Sequence, residues 1–241
     1  MRYLLLHAFP FDATMWDDVA ETLRSAGHDV STPDLRGFGS HPLGGDAPDL
    51  DRMVEDVELL LGEEPAIVAG CSMGGYVALG LTRRRPGLVE ALALVDTKAT
   101  ADSQAARDNR ERVAMLAESG GDWSAGMIDN LLGVTTRKTR PDVVARVEGV
   151  LRSAPRQTIA WAQRAMSGRS DARETLAGIA CPVLVVVGEE DTVSPMEEQA
   201  LILAAAPAAG LVVIPGAGHL TPLESPATVA AALGRLATPT R

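Results

Sequence analysis

Aromatic side chains are scarce in this chain. Phe, Trp and Tyr account for 8 of its 241 residues, although 46% of the residues are hydrophobic. The apolar mass is therefore Ala, Leu and Val, and there is enough of it for one domain, or one domain with a large insertion. Basic charge is also in deficit, with 22 Lys and Arg against 32 Asp and Glu and a formal net of −10. That balance argues against nucleic-acid and anionic-membrane partners, because phosphate groups call for a surplus of Lys and Arg. No apolar run approaches the roughly 18 residues of a membrane span. The opening Met1-Arg2-Tyr3-Leu4-Leu5-Leu6-His7 is too short an apolar stretch for a signal peptide. Only two cysteines occur, Cys71 and Cys181, far apart and without zinc or Cys-x-x-Cys spacing. A soluble chain of a reducing compartment, the cytoplasm, is expected, without a disulfide. Lysine is nearly missing too: Lys98 and Lys138 are the only two, and neither follows a glycine-rich loop. With no phosphate-cradling loop and no His-Glu-x-x-His helix, no metal or other cofactor is implied.

Short apolar runs alternate with helix-length segments, the mark of a parallel sheet wrapped by helices. The expected strands are Tyr3–His7, Asp29–Thr32, Ala66–Cys71, Ala91–Val95, Val183–Val187 and Leu211–Ile214. The expected helices between them are Thr14–Ala26, Leu50–Leu61, Gly74–Arg84, Met196–Ala206 and Pro226–Leu236. Five strands are near-continuous aliphatic runs, as when both sheet faces are covered. The second is polar and ends in Pro33, which suits a sheet edge. Between residues 97 and 178 the alternation stops and four helices are expected: Ser103–Ala117, Trp123–Leu132, Pro141–Ser153 and Thr158–Ser167. This stretch carries a net of +3 and the rest of the chain −13. It reads as a helical cap, residues 97–178, inserted into a core of residues 1–96 and 179–241. An ordinary run of surface helices is the plainer alternative.

The sharpest local signal is Gly70-Cys71-Ser72-Met73-Gly74-Gly75, placed between an apolar run and a helical stretch. A bare Gly-x-Ser-x-Gly arises by chance in roughly one chain in ten of this size. The strand-turn-helix setting gives it weight, because a nucleophile elbow needs a tight turn without bulky neighbours. Backbone N–H groups at the helix start would then face developing negative charge. Ser72 needs a general base. His28 and His41 lie in polar segments and are expected to be solvated. His219 follows the last strand, on the rim that the carboxyl ends of parallel strands share with Ser72; a loop histidine bonded to backbone is the plainer reading. The base needs an acid partner. Asp191 follows the strand Val183–Val187, and Asp96 follows Ala91–Val95. Asp191 is preferred because its strand precedes that of His219; a helix N-cap before Val193-Ser194-Pro195 is its plainer reading. Cys71 should point into the core from its strand.

The order Ser72…Asp191…His219 is that of the α/β-hydrolase triad. With His7-Ala8-Phe9-Pro10…Trp16, Asp34-Leu35-Arg36-Gly37-Phe38-Gly39-Ser40, Gly70–Gly75, Gly188-Glu189-Glu190-Asp191 and Gly218-His219, the chain resembles the α/β-hydrolase fold family. The matches span nearly everything outside the cap. Within the family the chain looks most like small capped serine esterases related to 3-oxoadipate enol-lactonases and pimeloyl-carrier methyl esterases. The resemblance implies a mostly parallel sheet of about six strands, without the first two strands usual in the family. It also implies an oxyanion hole made by the backbone N–H groups of Phe9 and Met73, and a structural role for His7. Family members usually have His-Gly where this chain has His7-Ala8.

The expected activity is hydrolysis of a carboxylic ester or lactone of a small molecule through an acyl-enzyme on Ser72. Cofactor-free perhydrolysis of the haloperoxidase kind, carbon–carbon bond hydrolysis, and a non-catalytic ligand-binding protein on the same scaffold are the alternatives. A substrate carboxylate is one hypothesis from the positive cap, with Arg107, Arg110, Arg137 and Arg164 as its partners; arginines facing outward are the plainer reading. Aromatics in or beside the site motifs or in the cap (Phe11, Trp16, Phe38, Tyr76, Trp123 and Trp161) are candidates for the pocket wall. Either a monomer or a homodimer fits the sequence.

Overall fold

A computed structural model describes residues 1–237. Six strands form one sheet: β1 (Arg2–Leu6), β2 (Asp29–Ser31), β3 (Ala66–Cys71), β4 (Val89–Val95), β5 (Val183–Gly188) and β6 (Gly210–Ile214), in the order β2-β1-β3-β4-β5-β6. Every neighbouring pair is parallel. The central strands β3 and β5 are buried at every residue, so both of their faces are covered. On one side α1 (Asp17–Ser25) packs with α12 (Pro226–Gly234); α2 (Leu50–Leu61) packs with α3 (Met73–Arg84), which lies across β3 and β4.

The polar second strand lies at one edge, as its composition suggests. The other edge departs from expectation: β6 exposes Leu211 and Val213, at 41% and 39% of their surface. The helices that flank this end, α10 (Met196–Ala205) and α12, pack on β5 instead. An aliphatic run records strand propensity, and here it does not record coverage.

Between β4 and β5 come six helices: α4 (Gln104–Glu118), α5 (Met127–Leu131), α6 (Val134–Thr139), α7 (Pro141–Ser153), α8 (Arg156–Ser167) and α9 (Arg173–Ala177). The pair α4 and α8 packs lengthwise, burying Val113, Ala114 and Ala117 with Ile159, Ala160 and Ala162. The expected helix Trp123–Leu132 shrinks to α5. Its first part is a turn, in which the Asp122 carboxylate accepts the Ser124 N–H and Gly126 takes φ 71°. The expected helix Thr14–Ala26 divides into a 3₁₀ turn, Ala13–Trp16, and α1. After β6 a short helix α11 (Thr221–Glu224) precedes α12. Among the described residues no helix is long and apolar enough to cross a membrane.

Candidate active site

Strand β3 ends at Cys71 and α3 begins at Met73, leaving Ser72 alone to make the turn. Its backbone takes φ 50° and ψ −110°. An L-residue pays about 1–3 kcal/mol for such a conformation, so the surroundings must hold it. Ser72 N–H donates to Val95 O at 2.9 Å, and Ser72 O accepts from Thr97 Oγ1 at 2.7 Å and Gly75 N–H at 2.9 Å. The turn is also tight because its glycines allow it. A Cβ on Gly74 would overlap the backbone oxygen of Leu6, and one on Gly70 would overlap that of Gly74.

The Ser72 hydroxyl makes no helix cap; its Oγ lies 2.9 Å from His219 Nε2. On the other side of the ring, His219 Nδ1 lies 2.9 Å from Asp191 Oδ2. His219 and Asp191 are both buried. A carboxylate can only accept, so Nδ1 carries the proton and Nε2 presents its lone pair to the serine hydroxyl. Burial opposes the charge on Asp191. The adjacent imidazole, its hydrogen bond and the Ser194 donors outweigh that cost and hold the carboxyl at about 2. Asp191 does not cap a helix, since α10 begins at Met196 with Pro195 as its N-cap; its oxygens instead close the turn ahead of that helix and face His219. Oδ1 accepts the N–H groups of Val193 and Ser194 at 2.8 and 3.0 Å, while Oδ2 faces His219 and accepts Ser194 Oγ at 2.5 Å. Ser194 Oγ also lies 3.3 Å from His219 Nδ1. The sequence offered only its place three residues after Asp191 as a sign of this contact.

Asp96, the rival acid, touches other groups. Its buried carboxyl accepts from Gly188 N–H at 3.1 Å, Thr221 N–H at 2.9 Å and Thr221 Oγ1 at 2.6 Å. Burial, with the charge of Asp191 nearby, pushes its pKa well up. Cys71 Sγ lies 3.9 Å from Asp96, and burial with the surrounding carboxylates pushes the thiol far above its ordinary range, so it has no thiolate to offer.

His7 braces the loop after β1. Its Nε2 accepts the Leu35 N–H at 2.9 Å and its Nδ1 lies 3.0 Å from Ala8 O. Burial lowers its pKa to about 4, keeping the ring neutral. Ala8 fits without strain. Among the described residues Ser72 and Asp96 are the non-glycine positions with positive φ, and the Ala8 N–H points to Met15 Sδ at 3.1 Å. The Phe9–Pro10 peptide bond is cis. Neither Phe9 N–H nor Met73 N–H has an acceptor among the described residues. His28 and His41 are half-buried and not fully solvated: His28 sits against the Tyr3 ring, and His41 faces Asp34 O and Asp56.

The aromatic side chains separate into groups. Phe9 packs edge-on against both Phe38 and Trp123, joining the loop after β1 to the β4–β5 connection. Phe11 and Trp16 are buried in the main core, and the Trp16 indole N–H has no partner among the described residues. Tyr76 lies under the Arg169 guanidinium, beside a cavity shared with Lys98 that contains neither Ser72 nor His219. Trp161 donates to Asp46 O and lines an outer groove with Arg156 and Arg164. Trp161 and Tyr76 thus border spaces that neither Ser72 nor His219 lines. The four arginines named for a substrate carboxylate are occupied. Arg110 pairs with Asp102, Arg137 with Asp129, Arg164 with Glu111 and Glu118, and Arg107 donates to Asp102 O and Gln104. These ion pairs span eight residues or join α8 to α4, and with the guanidinium groups so engaged the carboxylate hypothesis loses its support. Among the described residues no group of three His, Cys, Asp or Glu side chains could hold a metal ion.

A family model described as the alpha/beta hydrolase family matches residues 3–232. The pimeloyl-acyl-carrier-protein methyl ester esterase of Neisseria meningitidis serogroup C is 32% identical over 97% of this chain and 92% of its own length. A thermophilic esterase from Thermogutta terrifontis, solved with malate bound, superposes with a TM-score of 0.93 at 35% identity, covering 99% of this chain and 91% of that one. The enol-lactonase of Burkholderia xenovorans LB400 shares the fold with a TM-score of 0.88 at 22% identity, over 99% and 91% of the two chains. Sheet order, strained serine turn and sequence kinship agree, and the chain belongs to the alpha/beta hydrolase family.

Proposed function

We propose that this protein hydrolyses a carboxylic ester or lactone of a small molecule, with Ser72 as nucleophile, His219 as general base and acid, and Asp191 as the orienting carboxylate. One observation carries the reading: an unbroken run from Ser72 Oγ to His219 Nε2 and from His219 Nδ1 to Asp191 Oδ2, each step 2.9 Å. As Ser72 Oγ attacks the carbonyl carbon, its proton passes to Nε2, and the imidazolium is stabilised by Asp191. The tetrahedral oxygen takes the negative charge, for which the free N–H groups of Phe9 and Met73 are the donors; one such donor is worth about 3 kcal/mol. His219 then protonates the leaving alcohol. Water, deprotonated by the same nitrogen, attacks the acyl-enzyme and releases the acid.

Residues 97–178 serve as the cap over this site. Trp123 against Phe9 and the bond from His219 N–H to Leu131 O support that role. Phe9, Phe38 and Trp123 supply the aromatic wall, so the acyl group it accepts is apolar. Two free thiols, Cys71 and Cys181, suit a reducing compartment such as the cytoplasm, and the molecule acts as a monomer or a homodimer. Perhydrolysis and carbon–carbon bond cleavage would use the same three side chains, and no contact at this site favours either over hydrolysis. A purely binding role leaves the aligned serine, imidazole and carboxylate without a use.

Turnover of p-nitrophenyl acetate and of short methyl esters and lactones, by the wild type and by His219→Ala, tests the proposal. Hydrolysis by the wild type that His219→Ala loses is expected. Failure of the folded wild type to turn over any of these compounds would count against it, and peroxide-dependent halogenation exceeding hydrolysis would favour perhydrolysis.

A further inference from the structure

The loop that carries His219 is held by a carboxylate that the mechanism above does not use. Glu224, on α11, is buried. Its oxygens accept Gly218 N–H at 2.9 Å, Leu220 N–H at 3.1 Å and Gly133 N–H at 2.9 Å. Gly218 and Leu220 stand on either side of His219. Gly133 belongs to the insert, between α5 and α6. His219 N–H itself donates to Leu131 O, two residues earlier in the insert, at 3.1 Å. The two segments meet so closely that a Cβ on Gly133 would lie 2.8 Å from Gly218 N and 3.1 Å from Ala217 C. The acid-bearing loop is tied to the same stretch, since Glu190, next to Asp191, accepts Thr135 N–H at 2.8 Å and Thr135 Oγ1 at 2.6 Å.

A carboxylate is the group this place requires. Three backbone donors converge on it, and charge-assisted bonds to all three offset the cost of burying the charge. An amide of the same shape has a single acceptor oxygen, and its NH₂ would face an N–H donor.

We propose that Glu224 is a positioning residue for His219. Through it and Leu131, residues 131–135 of the insert hold the base and its acid partner in line with Ser72. This rests on the reading of His219 as the general base. The insert is then part of the catalytic scaffold at this end, and substrate enters elsewhere along its margin.

Glu224→Gln tests the proposal, with His219→Ala as its control. The readouts are p-nitrophenyl acetate kinetics, the rate of labelling by a fluorophosphonate, and the downfield proton NMR resonance of His219 Nδ1–H. A small displacement of a reacting group costs up to about 10²-fold. Glu224→Gln should therefore lower kcat and the labelling rate roughly 10- to 100-fold, with KM held within about twofold. The Nδ1–H resonance should shift or vanish while the protein still melts cooperatively. A folded Glu224→Gln with wild-type kcat and an unmoved resonance overturns the proposal. Should His219→Ala keep wild-type turnover, the assignment of the base fails first. If His219→Ala is inactive and Glu224→Gln is not, only the positioning role fails. Should Glu224→Gln not fold, Gly133→Ala reads the same strut from the insert side, and normal kcat there is equally contrary.

Discussion

At the scale of single residues, the Ser72 hydroxyl has one partner among the described residues, His219 Nε2, and does not cap α3. Removing it should cost chemistry and spare the fold. Ser72→Ala is expected to lower kcat by on the order of 10⁶-fold, with an unchanged melting temperature as the check on folding. Asp191→Asn keeps the shape but removes the charge that fixes the Nδ1–H tautomer, and kcat should fall by about 10⁴-fold. His7 makes a separate prediction about pH. Its pKa in the folded protein is about 4 against an ordinary 6.5. As pH falls through 6.5 the unfolded chain takes up this proton and the folded protein does not. Stability therefore declines between pH 6.5 and 4, by about 3 kcal/mol from this group, and no further below that. Asp191 has the opposite kind of shift, from 3.8 to about 2, so its stabilisation is complete above pH 3.8 and is lost only as pH falls toward 2. The two windows do not overlap. Urea unfolding at pH 7, 5 and 4 should show the wild type weakening and His7→Gln, less stable at pH 7, weakening by less.

At the scale of elements, the unit that matters most is β3-turn-α3. Its neighbour β1 approaches so closely that Gly74→Ala puts a methyl group against the backbone oxygen of Leu6, which cannot move away without shifting the strand. Overpacking of this kind costs about 1–3 kcal/mol. Chemical denaturation of Gly74→Ala should show a loss at the upper end of that range, together with slower acylation, because the same turn aims Ser72. This unit was legible in the sequence: Ala66–Cys71 forms with the expected bounds, the helix expected at Gly74–Arg84 starts one residue earlier at Met73, and the neighbouring Leu50–Leu61 also keeps its bounds, because a buried aliphatic run and an apolar stripe are strong periodic signals. The helices α6, α9 and α11 were not, being 6, 5 and 4 residues long, too short for a period to show. They are held by tertiary partners, as α11 is where Glu224 binds the loop before it. That Ser72, His219 and Asp191 would meet could be read from strand ends and chain order. The contacts of Ser194 and Glu224 could not, because a lone polar residue outside any periodic pattern gives no sign of the groups it will meet.

At the scale of the molecule, three of the aromatic rings join the loops after β1 and β2 to the β4–β5 connection, with Phe9 between Phe38 and Trp123. Trp16, Tyr76 and Trp161 have other tasks in core, cavity and groove, so scarcity alone did not assign them. Most arginines of residues 97–178 are engaged by carboxylates of the same stretch, as Arg164 is by Glu111 and Glu118. The sheet leaves one apolar edge open at β6. Leu211→Lys there should change stability by no more than about 0.5 kcal/mol and leave kcat alone, while light scattering shows less association at high concentration, since a charge on an edge strand opposes strand pairing. The whole account turns on Ser72 being an activated nucleophile. Intact-mass analysis after treatment with a fluorophosphonate tests this most directly. The wild type should gain one adduct, located on Ser72, and folded Ser72→Ala should gain none. An unlabelled wild type, or equal labelling of Ser72→Ala, would contradict it.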